Sequence, residues 1–547
     1  MTRDTLYGSA DWALPDAIAN AGLHASGGLY FGETAAGNAL YLDGDMPLIT
    51  FAGSGSGKGR DVILHNILEY AGHLFVNDPK GELAAVSLHS QHLQDKQAYC
   101  INPFAMHVGA PWFLPQHAVN PLDVLQPDSP SLVADCGLIM EMMIPNAKHG
   151  SDPYFSEKPR EWGQVLLVWM VRRFGSVTLP DFYARVSAIY SDEKAWDDIC
   201  RQMAEFPNIV IQRVAGEIAS KRKEAPKEFS GIIGTLFQGM KFIGDDAINA
   251  CLKGGDFSLS VVTSEIQPVN VYLIFPPDFA EQYAPFLRMM IGIAGIYKQR
   301  ATESPPVVFL IDEAAQLGYF EVLKRAYSFQ RGGGVRVWAF FQDMGQIDGL
   351  YGREGGRSMV SSAQLRQFFG VRDLDTAKYV SEMCGAATVF YDDPFVQEQH
   401  NTQGMGILLQ GAHDPAAMLQ ATYHFQMAEE KSIARRDLIT PDEVLGLPPD
   451  EQVAFVGDRS LRPLRAKKRH YYDREDFAGR FLPNPYHKPY DKIDVRHKGK
   501  VVSCPVVSKP VPHDLAHLPQ YQQGQMSVVE LPSGSGETRR PWWKRIF

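Results

Sequence analysis

The segment Ala52-Gly-Ser-Gly-Ser-Gly-Lys-Gly59 follows the apolar run Leu48-Ile-Thr-Phe51 and opens a helical pattern with Ile63, Ile67 and Tyr70 on one face. Strand, glycine-rich loop and amphipathic helix in immediate succession constrain the fold strongly. They set backbone N–H groups and a helix N-terminus around an anion, and press one helix face against a sheet. The candidate phosphate-binding residues are Gly53, Ser54, Gly55, Ser56, Gly57, Lys58, Gly59 and Arg60, with Lys58 reaching the β- and γ-phosphates. The pattern departs from G-x-x-x-x-G-K-[ST] at Ala52 and at Gly59. A hydroxyl at the second position normally ligates magnesium, so here the metal would draw more on water, phosphate and a distant carboxylate. A flexible Gly/Ser turn would use the same residues.

Val307-Val-Phe-Leu-Ile-Asp312-Glu313 is an apolar run ending in two carboxylates, as a buried parallel strand delivers them at its C-terminal edge. Paired with Lys58, they predict hydrolysis of a nucleoside triphosphate. Asp312 would hold magnesium through its water shell, and Glu313 would orient or deprotonate the attacking water. Val335-Arg-Val-Trp-Ala-Phe-Phe341 ends in Gln342, placed as a γ-phosphate sensor or as an ordinary strand end. Leu365 to Arg372 forms a further strand with two guanidinium groups. Arg366 or Arg372, with Arg372 preferred, is the candidate arginine finger for a neighbouring subunit's nucleotide; a surface ion pair is the plainer reading. Lys58 and Asp312 lie 254 positions apart, too far for a minimal nucleotide-binding sheet. From about Ser129 to Ile248 the spacing turns helical: Leu132, Cys136, Ile139, Met140 and Met143, then Trp162, Val165, Leu166, Trp169 and Met170. An all-helical domain is therefore predicted inside an α/β core.

With these residues in place, residues 8 to about 475 resemble the coupling-protein ATPases of type IV secretion and conjugation, the TraG-type family. The resemblance rests on Gly8-Ser-Ala-Asp-Trp-Ala13, the loop Gly53 to Gly59, Asp78-Pro-Lys-Gly-Glu82, Asn102-Pro-Phe104 and Asn120-Pro-Leu-Asp123. It continues through Asp152-Pro-Tyr-Phe155, Leu310-Ile-Asp-Glu313 with Leu317-Gly318, Leu438 to Glu443, Pro449 to Gln452, and Arg465-Ala-Lys-Lys468 before Tyr471-Tyr472. It implies a RecA-like P-loop NTPase core with an inserted all-α domain, assembled as a hexamer around a channel through which DNA is driven by ATP hydrolysis with magnesium. The implied division is 1–128 and 249–480 for the nucleotide-binding core and 129–248 for the insertion. Asp78, Lys80 and Glu82 would line the nucleotide site. The implied partners are DNA with its relaxase, or a protein substrate, and subunits of the secretion channel. Two alternatives stay open: a cytoplasmic DNA translocase or helicase-like ATPase without a secretion partner, and a nucleotide-binding recruitment scaffold.

Members of this family usually carry transmembrane helices ahead of the Gly-Ser-Ala segment, which here starts at residue 8. No window approaches the roughly 20 apolar residues of a spanning helix, and Met-Thr-Arg-Asp lacks the apolar core of an export signal. The expectation is a cytoplasmic protein recruited to the inner face of the bacterial inner membrane, in indirect or peripheral contact with it. Six scattered cysteines and 16 histidines form no ligand pattern, so no metal is expected beyond nucleotide-bound magnesium. A net charge of −10 opposes DNA binding by the whole surface but not a basic channel. Lys221-Arg-Lys223 with Lys227 is interleaved with Glu217, Glu224 and Glu228 and reads as a solvated helix face. Residues 481–547 read as a largely disordered tail. Its last residues, Arg539-Arg-Pro-Trp-Trp-Lys-Arg-Ile-Phe547, are a candidate peptide for a groove or an anionic membrane surface.

Overall fold

The computed structural model describes residues 6–145, 153–328, 332–411 and 414–532. Its continuous apolar runs become strands buried on both faces, as their composition requires. An antiparallel pair, β1 (Leu29–Glu33) and β2 (Ala39–Leu42), precedes the strand of the glycine loop, β3 (Leu48–Ala52). Next come β4 (His73–Asp78), β5 (Gln97–Ile101), β6 (Val269–Ile274), β7 (Val307–Ile311), β8 (Val335–Phe341) and β9 (Leu365–Phe369). A ribbon of β10 (Ala386–Tyr391) and β11 (Ser432–Asp437) leads to β12 (Glu451–Val456) and β13 (Leu464–Lys467).

Among the described residues these strands build an eleven-stranded sheet in the order β2-β1-β13-β12-β9-β3-β8-β7-β4-β6-β5. From β9 to β5 every neighbouring pair is parallel. The C-terminal ends of β3, β4, β7 and β8 therefore open along one edge, the usual place for a ligand in an α/β sheet. Side chains alternate across the sheet with period two. Ile49 and Phe51 join one core with Phe75, Phe309 and Phe341, while Leu48 and Ala52 join the other with Leu74, Val76, Leu310 and Phe340.

The helical segment lies on the first of these faces. Helices Leu132–Met143, Tyr154–Phe174, Leu179–Ser191, Glu193–Glu205, Ile209–Glu224, Pro226–Met240 and Asp246–Cys251 follow one another before β6. The residues that set the helical spacing, from Leu132 to Met143 and from Trp162 to Met170, are buried. A capping box between Thr178 and Asp181 starts one helix and side-chain oxygens of Asp192 and Asn208 start two others. Arg288, buried on helix Ala284–Arg300, ties the segment to the sheet: its Nε donates to the Met142 carbonyl at 2.8 Å and its Nη1 to that of Leu317 at 2.7 Å. In the basic cluster, Lys221 pairs with Glu228 at 2.6 Å, and Arg222 with Asp197 and Glu193 at 3.0 Å each. The ribbon β10–β11 carries helices Pro394–Gly411 and Pro415–Glu429 and takes the N-terminal residues alongside, the Thr388 N–H donating to the Gly8 carbonyl at 3.1 Å.

One expectation is corrected. Residues 481–532 are ordered, not a disordered tail: β14 (Lys492–His497), β15 (Lys500–Pro510) and β16 (Gln525–Val529) form a three-stranded antiparallel sheet. Lys498 and Gly499 close the first hairpin with φ of 51° and 76°, the left-handed pair of a tight two-residue turn. Val495 and Cys504 face inward and join the core beneath β3 and β4. Beyond the sheet, the Gln520 amide caps the end strand β5, accepting from the Ala98 N–H at 3.0 Å and donating to the Lys96 carbonyl at 3.1 Å. Tyr521, 2% exposed, donates to the His89 carbonyl at 2.9 Å. The peptide Arg539–Phe547 lies outside the described residues.

Replacing Tyr521 by Ala removes a buried ring and should cost about 3 kcal/mol of local stability. Limited proteolysis should then cut first between residues 485 and 532, while the sheet of β3 to β9 stays resistant.

Candidate nucleotide site

The glycine loop is shaped by close backbone approach. Gly55 and Gly57 take φ of 75° and 94°, open to glycine and strained for other residues. A Cβ on Gly53 would overlap the Gly370 carbonyl oxygen, and one on Gly370, itself at φ 56°, would overlap the Ser56 side chain. Loop and β9 turn therefore interlock through two glycines. A π-turn over Gly59–Ile63 leads into helix Leu64–Glu69, whose N-terminal end faces the loop. The Ser56 hydroxyl is buried and has no hydrogen-bond partner among the described residues.

Underneath, Lys468 braces the loop. Its ammonium donates to the Ser56 carbonyl at 2.7 Å, pairs with Asp61 at 3.5 Å and stands 4.1 Å from the centroid of the Phe369 ring. Burial lowers its pKa, partly offset by Asp61. Asp61 accepts from Arg60 Nε at 2.6 Å and lies 2.8 Å from His470 Nδ1. Its burial favours the neutral acid, yet the hydrogen bonds from Arg60 and His470 and the charge of Lys468 hold it below the usual carboxylate range.

At the edge opened by the parallel register, Lys58 meets the carboxylates. Its ammonium is 3.4 Å from Asp312 Oδ1 and is hydrogen-bonded to Glu313 Oε1. Burial alone would lower the Lys58 pKa, but Asp312 and Glu313 together outweigh it and leave the group firmly charged. Burial raises the Asp312 pKa, Lys58 opposing and Glu313 adding to the shift. Gln342, at the end of the strand between β3 and β7, donates to Glu313 Oε2 at 3.2 Å. Glu313 holds φ at 55°, a left-handed conformation that costs on the order of 1 kcal/mol or more and turns its carboxylate back over the strand end. Asn77 fixes the same turn by donating to the Asp312 carbonyl at 2.8 Å. Lys58, Asp312, Glu313 and Gln342 thus converge. Donors for phosphate, a carboxylate for a hydrated cation and a second carboxylate for water fit a magnesium triphosphate, with no hydroxyl at Gly59 to add a ligand.

The remaining predicted residues occupy different places. Asp78 is buried at the end of β4, where its carboxylate accepts from the Ala84 N–H at 2.8 Å; burial pushes its pKa up to about 7. Lys80 is exposed, and Glu82 accepts from Asn484 Nδ2 at 2.6 Å. Asp78, Lys80 and Glu82 line one open cleft of about 940 Å3 together with Ser54, Gly55 and Gly57 to Arg60 of the loop, while Gly53 and Ser56 lie outside its lining. Arg366 packs over the Phe455 ring within the fold. Arg372 is exposed, its stem beside Gly53, outside the lining of that cleft. The Lys468 brace, Gln316, Tyr472 and the C-terminal residues of the cleft have no assigned role in the sequence reading; only the order Lys468, Tyr471, Tyr472 behind a strand hints at them.

Residues 11–489 match the model of the type IV secretory system conjugative DNA transfer family. The chain belongs to that family. Conjugal transfer protein TraG of Agrobacterium fabrum is 24% identical over 461 residues, which cover 80% of this chain; the chain spans 62% of that relative's length. Coupling protein VirD4 of Bartonella quintana is 25% identical over 475 residues, covering 83% of this chain and 68% of its own. Among solved structures, the conjugative coupling protein TrwBΔN70 with sulphate matches at TM-score 0.58 and 14% identity, covering 85% of this chain and 96% of that one. TrwB in complex with ADP and Mg2+ matches with the same values. The chain thus shares the fold of the TrwB structures, a largely parallel sheet with an all-helical segment inserted between β5 and β6.

Gly370→Ala, which adds no charge and touches no phosphate, should push Ser56 and weaken nucleoside triphosphate binding by about tenfold, as read by titration with a fluorescent analogue. Lys468→Met should produce a loss of similar size while leaving the far-ultraviolet circular dichroism unchanged.

Proposed function

We propose that this chain is an ATP-hydrolysing coupling protein of type IV secretion, which brings DNA with its relaxase, or a protein substrate, to the secretion channel. The observation that carries the reading is the convergence of Lys58 with Asp312 and Glu313 at the open edge of the sheet. In this reading Lys58 and the backbone of Gly53 to Gly59 hold the β- and γ-phosphates, with Arg60 beside them. Asp312 holds magnesium through water, and the metal, when bound, neutralises charge on the phosphates. Glu313 orients the attacking water and takes its proton, and Gln342 steadies Glu313 and senses the γ-phosphate. Asp78 and Glu82 shape the floor through the turn they stabilise, and Lys80 adds a cation at the rim.

Family membership and the TraG and VirD4 relatives support the conjugative role, and the TrwB complexes with ADP and magnesium support the cofactor. Arg372, exposed next to the loop, suits an arginine finger acting on a neighbouring copy in a hexameric ring. Among the described residues no helix is long and apolar enough to cross a membrane. Recruitment to the cytoplasmic face of the inner membrane by a partner is the accompanying proposal.

The full chain should hydrolyse ATP faster when DNA is added. Lys58→Ala should abolish binding and turnover, and Glu313→Gln should keep ATP binding while lowering turnover by about a hundredfold or more. Full turnover in Glu313→Gln would overturn the assignment. Tight ATP binding without turnover by the unmodified chain would instead favour the scaffold, and capture of a relaxase separates the coupling protein from an independent DNA motor.

A further inference from the structure

The cleft around Lys58 extends past Arg60 to Tyr472 and on to Ile493, Asp494 and Ser503 of the C-terminal sheet. Those last three residues lie beyond residue 489, where the family match ends. We propose that the C-terminal sheet forms the base and ribose wall of the nucleotide site and selects a ribonucleotide over its 2′-deoxy counterpart. The inference rests on the reading of Lys58 as the phosphate anchor.

Three observations carry it. The first is size and continuity: about 940 Å3 is within the range of pockets that enclose a whole small ligand, roughly 300–1,000 Å3, and more than a phosphate chain alone requires. The second is chemistry. The half-buried ring of Tyr472 offers apolar surface for a flat heterocycle. Asp494 lies directly opposite Ser503 across the β14–β15 ladder, so a carboxylate and a hydroxyl stand side by side on one face. That pair can accept from and donate to the two hydroxyls of a ribose, so a 2′-deoxy sugar forfeits one of the two hydrogen bonds.

The third observation is rigidity. The wall is fastened at both ends: ahead of it the Trp112 indole donates to the Pro483 carbonyl at 2.8 Å and Asn484 to Glu82 at 2.6 Å. Behind it, Gln520 and Tyr521 are sewn to β5 and to the His89 carbonyl. A surface held this way keeps its shape before a ligand arrives, which favours specific binding. Asp494 and Ser503 are exposed, so substituting them leaves the fold in place.

The test compares binding of ATP, 2′-deoxyATP and inorganic tripolyphosphate to the full chain by calorimetry. The unmodified chain should bind ATP about tenfold more tightly than 2′-deoxyATP. Asp494→Ala and Ser503→Ala should remove that preference while binding tripolyphosphate as the unmodified chain does, and Tyr472→Ala should weaken both nucleotides. If Asp494→Ala and Ser503→Ala keep the full preference for ATP while Lys58→Ala loses every ligand, the wall is elsewhere and the phosphate anchor stands. If the unmodified chain binds none of the three, the nucleotide reading itself falls.

Discussion

A buried ammonium held between two carboxylates is the interaction on which this architecture depends. Lys58 is 8% exposed, and removing it from water is tolerable because Asp312 and Glu313 meet it there. The meeting requires three strand ends to be level, and the parallel register of β3, β8 and β7 supplies that alignment. In the proposed reading a triphosphate would give the ammonium a more highly charged partner, and the carboxylates would then become available to a hydrated cation and to water. The same groups would then serve cohesion and chemistry by exchanging partners.

The brace beneath the loop obeys the same logic at one remove. Lys468 and Asp61 are both buried, and each is acceptable to the interior because of the other. Lys468 gives a second hydrogen bond to the Ser56 carbonyl, which fixes the backbone of the glycine loop. Gly53 and Gly370 hold the loop from the side. The candidate phosphate loop is thus held by residues scattered from β3 to the segment after β13.

Much of this organisation is readable from the residues in order. The apolar runs of β3, β6, β7, β8 and β9, the helical spacing from Leu132 to Met170, and the pairing of Lys58 with Asp312 and Glu313 all follow from periodicity and from the chemistry of strand ends. The Lys468 brace is not readable that way, because its partners Ser56 and Asp61 lie some four hundred positions earlier and only tertiary packing joins them. The C-terminal sheet is hidden for another reason. Proline and lysine in residues 483–500 suggest a solvated coil, while the alternation of Ile493 with Val495 and of Val502 with Cys504, around the Lys498-Gly499 turn, carries the weaker signal that prevails.

The side chain of Gln520, on the 3-10 turn Pro519–Tyr521, covers the end strand β5 and so limits how copies of the molecule can meet. An end strand normally presents free backbone groups that invite a strand from another chain. Here the donor of Ala98 and the acceptor of Lys96 are already engaged by an amide side chain from the same polypeptide. That margin is sealed against sheet extension, so any contact formed along it must be made by side chains, whose pairing can be broken and remade without unravelling the nucleotide-binding core.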